Sequence, residues 1–210
     1  MADLKDKDFI KFISKIYTCW RGFIDLVDFI GEIVKPKTIV ELGVANGYST
    51  LLLAKITDKN GDVFAVDKWE GREEECRQKA EDNIAYAKEH FGINNIHLIH
   101  KEFTSYFYES FWKKQIDILH IDGDHSDKCV REDFDMWSPF VSPNGLILLH
   151  DVTNASFTGP LRACREEQDN WNVLIYPQEL GLGIITKNHD IYSKLKDKFE
   201  ILKDIKEWQT

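Results

Sequence analysis

Residues 36–67 read PKTIVELGVANGYSTLLLAKITDKNGDVFAVD, and the architecture follows outward from them. Thr38–Leu42 is a short β-branched run and predicts a strand. Gly43 follows it, and Asn46 and Gly47 can take left-handed conformations before a helix predicted over Asn46–Ile56. Asn60–Gly61 marks a turn, and Val63–Val66 predicts a second strand that ends on Asp67.

Upstream, residues 5–34 predict two helices. In the second, Phe23, Leu26, Val27 and Ile30 recur at three- and four-residue spacing, and Pro36 stops it. Downstream the alternation continues. A charged helix is predicted over Glu73–His90, strands over Ile96–Ile99 and Ile116–Ile121, and a helix over Lys128–Trp137. A turn at Pro143–Gly145 leads into a strand over Leu146–Leu149, and a helix is expected over Leu161–Gln168. Short strands follow over Val173–Ile175 and Leu182–Thr186, and a closing helix over Ile191–Trp208. Strands separated by helices predict right-handed βαβ units and a mainly parallel sheet covered on both faces. The runs IVEL, ILHI and LILL suit buried parallel strands. The last two strands are too close for a crossover helix and are expected to pair antiparallel at the sheet edge.

The 210 residues are 43% hydrophobic and 30% charged, an ordinary globular mix. Twenty-seven basic and 36 acidic residues give a net charge of −9, the wrong sign for a generic nucleic-acid or acidic-membrane binder. Cys19, Cys76, Cys129 and Cys164 form no C-x-x-C pair and are expected to be free thiols in a reducing compartment. The N-terminal residues lack a signal peptide's apolar core, and no apolar run reaches bilayer length, so the cytoplasm is the expected location. Six tryptophans are compatible with a homodimer.

Two groups of polar residues fall at predicted strand ends, where open α/β sheets bind ligands. The first spans Glu41, Gly43, Val44, Asn46, Gly47, Tyr48 and Ser49, together with Asp67, Lys68 and Trp69. An acid about 20 residues past a glycine turn is placed to accept hydrogen bonds from two ribose hydroxyls. The spacing G-x-x-x-G differs from the dinucleotide fingerprint, and a tight turn with no ligand is the plain alternative. Trp69 or Phe103 could cover an adenine face, and Glu102 follows the third strand where an adenine edge would lie.

The second group lies in LHIDGDHS and LLHDV. Asp122 and Asp151, at the tips of neighbouring predicted strands, could share one Mg²⁺ ion, since hard cations take carboxylate oxygens. His125 has the intrinsic pKa of a proton acceptor near neutrality. Ser126 and Asp124 have an alternative role as helix caps, and His120 as a core histidine.

ELGVANGYSTLLLA, VFAVDKWEG, DILHIDGDHS and PNGLILLHDV, in that order, resemble class I S-adenosylmethionine-dependent methyltransferases. The nearest branch is the small one that includes cephalosporin-hydroxylase-like and macrocin-O-methyltransferase-like proteins, and the resemblance covers roughly residues 36–187. It implies a Rossmann-like three-layer α/β sandwich with a seven-stranded, mainly parallel sheet whose last strand is antiparallel. It also implies a methyltransferase domain over 36–210, with residues 1–35 as a helical extension. Glu41, Gly43, Val44, Asn46, Gly47, Tyr48 and Ser49 would border the methionine part of the cofactor. Asp67, with Lys68 and Trp69, would flank the ribose, Glu102 and Phe103 would lie near adenine, and Asp122 would border the cofactor as well. In metal-dependent relatives an acid after the fourth strand and an acidic pair after the fifth bind Mg²⁺. Asp122 matches the first, and His150-Asp151 stands in place of the pair.

The expected activity is therefore methyl transfer from S-adenosylmethionine to a hydroxyl of a small acceptor, sugar-like or secondary-metabolite-like. Asp122 and His125 would be its catalytic residues, and Asp122, Asp151 and His150 its metal ligands. Two other readings stay open: a nicotinamide-dependent oxidoreductase or epimerase, and a cofactor-binding module without catalysis.

Overall fold

The computed structural model describes residue 4 and residues 6–70, 74–110 and 112–208. The described residues form two compact units that divide between Trp112 and Lys113.

The first unit begins with helices α1 (Lys7–Ile13) and α2 (Ile24–Val34), the latter entered through a 3₁₀ turn over Arg21–Phe23. Asp6 caps α1 by accepting the backbone N–H groups of Asp8 and Phe9. Strand β1 (Thr38–Leu42) leads to helix α3 (Tyr48–Ile56), and β2 (Asp62–Asp67) to helix α4 (Glu74–Phe91). Strand β3 (Ile96–His100) and helix α5 (Phe103–Ser110) follow. The three strands run parallel in the order β3-β2-β1, with Leu42 opposite Val66 and Asp67 opposite His100. Ile39, Val40 and Leu42 are wholly buried, and each such side chain contributes roughly 1.5–3 kcal/mol of burial free energy. Helix α3 is buried along its whole length, including Lys55.

The second unit opens with β4 (Ile116–Ile121) and helix α6 (Asp127–Trp137). Strand β5 (Val141–His150), helix α7 (Gly159–Glu167), β6 (Asn172–Tyr176) and β7 (Leu182–Thr186) come next. Helix α8 (His189–Lys198) and a two-residue β8 (Lys203–Asp204) complete it. The strand order is β4-β5-β7-β6-β8, with β4 and β5 parallel and β7 antiparallel to both of its neighbours. Ser126 Oγ accepts the Cys129 N–H at the start of α6, so the capping role is present.

Four expectations need correction. The described residues contain eight strands rather than seven. The closing helix over 191–208 stops at Lys198, because Lys203–Asp204 pairs instead with the free edge of β6 and buries Leu202 and Ile205. The spacing of those apolar residues reads as helical, but strand pairing overrides it. Pro143–Gly145 is not a turn before a strand. It lies within β5, where Ile116 pairs with Val141 and Ile118 with Leu146, so the extra residues form an irregularity that re-aims the strand. Helix α5 was not expected, and it has no fully buried residue to give a clear apolar stripe. The pairing of β6 with β7 is antiparallel as expected, although β8 rather than either of them ends the order.

Candidate functional site

The turn from Gly43 to Gly47 is held at nearly every backbone group. Gly43, Ala45 and Gly47 have φ of 97°, 47° and 82°, left-handed values that Ala45 adopts only at a cost. The turn around Ala45 is offset by the neighbours that grip it. Asp67 Oδ2 accepts the N–H groups of Val44 at 2.8 Å and Ala45 at 3.1 Å, while its Oδ1 accepts that of Trp69 at 3.0 Å. Trp69 Nε1 donates to the Ala45 carbonyl at 3.0 Å, and Asn83 Nδ2 to the Asn46 carbonyl at 3.0 Å. Gly43 N–H bonds back to Val66 on β2 at 2.9 Å.

Asp67 thus sits where the sequence suggested, beside the glycine turn, with three backbone donors on its two oxygens. An ionised carboxylate accepts about four, which leaves capacity for roughly one more donor. Glu41 is fully buried, and its Oε2 accepts the Thr50 hydroxyl. Val44, Tyr48 and Ser49 are buried. Ala45 is exposed and Asn46 half-buried, so the apex of the turn meets solvent. Asn46 Nδ2 donates to the Tyr17 carbonyl at 3.3 Å, and its Oδ1 is buried with no donor among the described residues.

Trp69 is 1% exposed and packs with Val44, Ala65 and Ala80, so it acts as a latch on the turn rather than as an open ring face. Lys68 Nζ reaches Glu102 Oε1 at 3.2 Å, and both side chains are about half exposed. Phe103 is the first residue of α5 and is partly buried.

The second unit gathers Asp122, His125, His150 and Asp151. Asp122 follows β4, His150 ends β5 and Asp151 follows it. Asp151 has φ 62°, a conformation that aspartate tolerates better than most residues. Two carboxylate oxygens each meet two imidazole nitrogens. His125 Nε2 lies 3.4 Å from Asp122 Oδ1 and 2.9 Å from Asp151 Oδ2. His150 Nδ1 lies 3.2 Å from the first oxygen and 3.0 Å from the second. Asn154 Nδ2 holds the other Asp151 oxygen at 2.7 Å. The wholly buried His120 has Nε2 3.9 Å from Asp122 Oδ2.

The electrostatics follow from this arrangement. Burial disfavours the charge on both imidazoles, but hydrogen bonds to and charges on the two carboxylates outweigh it. His125 is pushed up to about 9, and so is His150, where the Asp122 charge is the largest opposing influence. Burial would raise Asp122. The His150 charge and the hydrogen bonds from His125 and His150 reverse this and hold it well below the carboxylate range. Asp151 is lowered in the same way against burial, by hydrogen bonds from His125, His150 and Asn154. At neutral pH the group carries two negative and two positive charges.

One donor atom from each of Asp122, His125 and Asp151 lies within 4.8 Å of the other two, so these three side chains can converge on one cation. His150, expected as the third ligand, is not in that group; it hydrogen-bonds both carboxylates and thereby orients them. Two participants escaped sequence reading. Asn154 is a local clue, three residues past Asp151. Phe157, whose ring stacks on His125 with centroids 4.4 Å apart and planes at 14°, has no sequence signal.

Residues 40–152 match the family described as a methyltransferase domain, and the chain belongs to that family. A curated relative, the uncharacterized protein y4gI of Sinorhizobium fredii, is 31% identical over 187 residues. That match covers 81% of this chain, which spans only 19% of the relative's length. Solved structures share the Rossmann-like α/β fold. A Staphylococcus aureus protein provisionally assigned as a caffeoyl-CoA O-methyltransferase has a TM-score of 0.66 at 18% identity, over 90% of this chain and 93% of its own. The O-methyltransferase TomG of Streptomyces achromogenes, solved with SAM, has 0.63 at 14% identity, over 84% and 89%. A Bacillus cereus O-methyltransferase solved with SAH has 0.62 at 16%, over 86% and 90%. No described helix is long and apolar enough to cross a membrane.

Proposed function

We propose that the protein transfers a methyl group from S-adenosylmethionine to a hydroxyl of a small, sugar-like or secondary-metabolite-like molecule, with residues 36–210 as the methyltransferase domain. The O-acceptor reading is carried by the Asp122–His125–His150–Asp151 group in a chain of the methyltransferase family. The cofactor reading is supported by the gripped turn, with spare acceptor capacity on Asp67 and an orphan buried oxygen on Asn46, both suited to hydroxyl or ammonium donors.

S-adenosylmethionine supplies an electrophilic methyl on a sulfonium. The chain's part is to position and to move a proton. The turn Gly43–Gly47, pre-set by Asp67 and Trp69, offers a rigid seat for the cofactor's methionyl end, and Asp67 has room for a ribose hydroxyl. Glu102 and Phe103 are assigned to the adenine end. A rigid seat lowers the barrier by removing the entropy cost of alignment. In the second unit, neutral His125 keeps its Nε2–H on Asp122 and Asp151 and accepts the hydroxyl proton at the other ring nitrogen, Nδ1, and the two carboxylates stabilise the imidazolium that results. His125 is largely charged near neutral pH, so turnover should rise as pH approaches 9.

The convergence of Asp122, His125 and Asp151 favours a second reading of the same group, in which a divalent cation replaces the proton on His125. A bound cation would act as a Lewis acid on the acceptor oxygen. One imidazole among two carboxylates suits Mn²⁺ at least as well as Mg²⁺, which prefers oxygen throughout.

Calorimetric titration with S-adenosylmethionine, followed by a methylation assay on a panel of hydroxylated acceptors, tests the proposal. Binding and product are expected. Absence of cofactor binding in folded protein sinks it. Activity that survives EDTA and climbs towards pH 9 selects the proton reading, and activity lost to EDTA and restored by Mn²⁺ or Mg²⁺ selects the cation.

A further inference from the structure

Lys55 lies in the last turn of α3 and is 6% exposed. Its ammonium stands over the rings of Phe9, 4.8 Å from the centroid, and Phe91, at 5.9 Å. Among the described residues no carboxylate is within ion-pair distance of it. A lysine near a helix C-terminus commonly bonds the last carbonyls, but two of these already have donors. Thr57 bonds the Leu53 carbonyl through its N–H and its hydroxyl, and Asn95 Nδ2 donates to that of Ala54 at 3.2 Å.

Lys55 also lines a cavity of about 490 Å³, together with Thr57, Lys59, Asn60, Asn94 and Asn95. The one carboxylate on its wall, Asp62, takes His97 Nε2 at 2.8 Å. Two lysines, Lys55 and Lys59, therefore line it without an ion-pair partner among the described residues. A buried charge left unpaired is costly, and the two ring faces compensate it only partly. The site lies at the opposite end of β2 from Asp67, five residues or roughly 17 Å away at about 3.3 Å per residue. It shares no residue with the glycine turn.

We propose that this cavity binds the oxyanion of a small molecule, a phosphate ester or a carboxylate, with Lys55 as its buried anchor and Lys59 at its mouth. The amides of Asn60, Asn94 and Asn95 supply further hydrogen-bonding groups, and Phe91 supplies an apolar wall for the remainder of the ligand. A second anion-binding site remote from the glycine turn gives the chain a place for an effector, or for the anionic tail of a larger ligand.

The full chain would be titrated calorimetrically with inorganic phosphate and, separately, with acetate at matched ionic strength. Saturable binding of at least one anion is expected, and the stronger of the two identifies the headgroup. Lys55→Met keeps the stem against the rings and should weaken binding roughly tenfold or more, while Lys55→Arg should retain it. Asn60→Asp adds a carboxylate at an exposed turn without touching the packing, and should weaken binding several-fold even if Lys55→Met does not fold. None of these three variants should change S-adenosylmethionine affinity, so the outcome is independent of the methyltransferase reading. No saturable binding in the wild type, or equal affinity in Lys55→Met and Asn60→Asp, overturns the proposal.

Discussion

Replacing Asp67 with asparagine isolates the role of its carboxylate in the glycine turn. The carboxylate presents acceptors on both sides, to Val44 and Ala45 through Oδ2 and to Trp69 through Oδ1. An amide has an acceptor on one side only. The better orientation keeps the oxygen on Val44 and Ala45 and turns the NH₂ towards the Trp69 N–H, where two donors oppose each other. An unsatisfied buried donor costs about 1–3 kcal/mol, and loss of charge assistance on the other two bonds adds about 1 kcal/mol. The expected destabilisation is about 2–4 kcal/mol. At roughly 2–4 °C per kcal/mol for a chain of this size, Tm should fall by about 5–15 °C. Urea unfolding should show a lower midpoint at unchanged slope, which reports stability rather than a change in the unfolded state. Cofactor affinity should fall with it, because Ala45, held at φ 47°, would no longer be restrained. A variant that unfolds within about 0.5 kcal/mol of wild type would refute the idea that this carboxylate holds the turn.

Stability should also depend on pH through the Asp122–His125–His150–Asp151 group. The histidines are raised, so their contribution is complete below about pH 6.5 and is lost as pH rises through about 9. The aspartates are lowered, so theirs is present above about pH 4 and disappears in acid. One imidazole moved from 6.5 to about 9 corresponds to about 3 kcal/mol, and the two share the same carboxylates, so the figure is not doubled. Denaturation at pH 6 and pH 9.5 should show that loss in the wild type and much less of it in the double variant His125→Gln/His150→Gln, and equal losses would contradict the ion-pair arrangement. Phe157→Ala removes the ring stacked on the His125 imidazole and should lower the His125 NMR titration midpoint while costing about 1 kcal/mol of stability or less. Gly47→Ala imposes a left-handed alanine at φ 82° and should cost about 1–2 kcal/mol from strain alone, since the nearest atom to the new Cβ is at an ordinary 3.6 Å. Unchanged thermal unfolding in that variant would show that the turn relaxes.

Much of the architecture was legible in one dimension. The strands β1 to β4, β6 and β7 lie within a residue or so of the apolar runs that predicted them, because a strand buried on both faces leaves an uninterrupted apolar signature. The strand ends likewise pointed to Asp67, Asp122 and Asp151, although Asp67 has a structural task as well, accepting three backbone N–H groups at the glycine turn. Where reading failed, a distant partner decided the outcome. Lys203–Asp204 is a strand only because the edge of β6 is open to it, and Pro143–Gly145 continues β5 only because β4 tolerates the irregular register.

The division is the same at the site. Residue order by itself determined which side chains stand at strand ends and that a left-handed turn follows β1, since both depend on neighbours along the chain, although Ala45 rather than the expected Asn46 takes that conformation beside Gly47. Only the tertiary structure decided that Trp69 is a buried latch, that His125 and His150 share two carboxylate oxygens, and that Phe157 covers one of those rings. Those facts rest on hydrogen bonds and ring contacts between residues far apart in sequence, whose strength depends on burial and direction, and neither quantity is written in the spacing of the residues themselves.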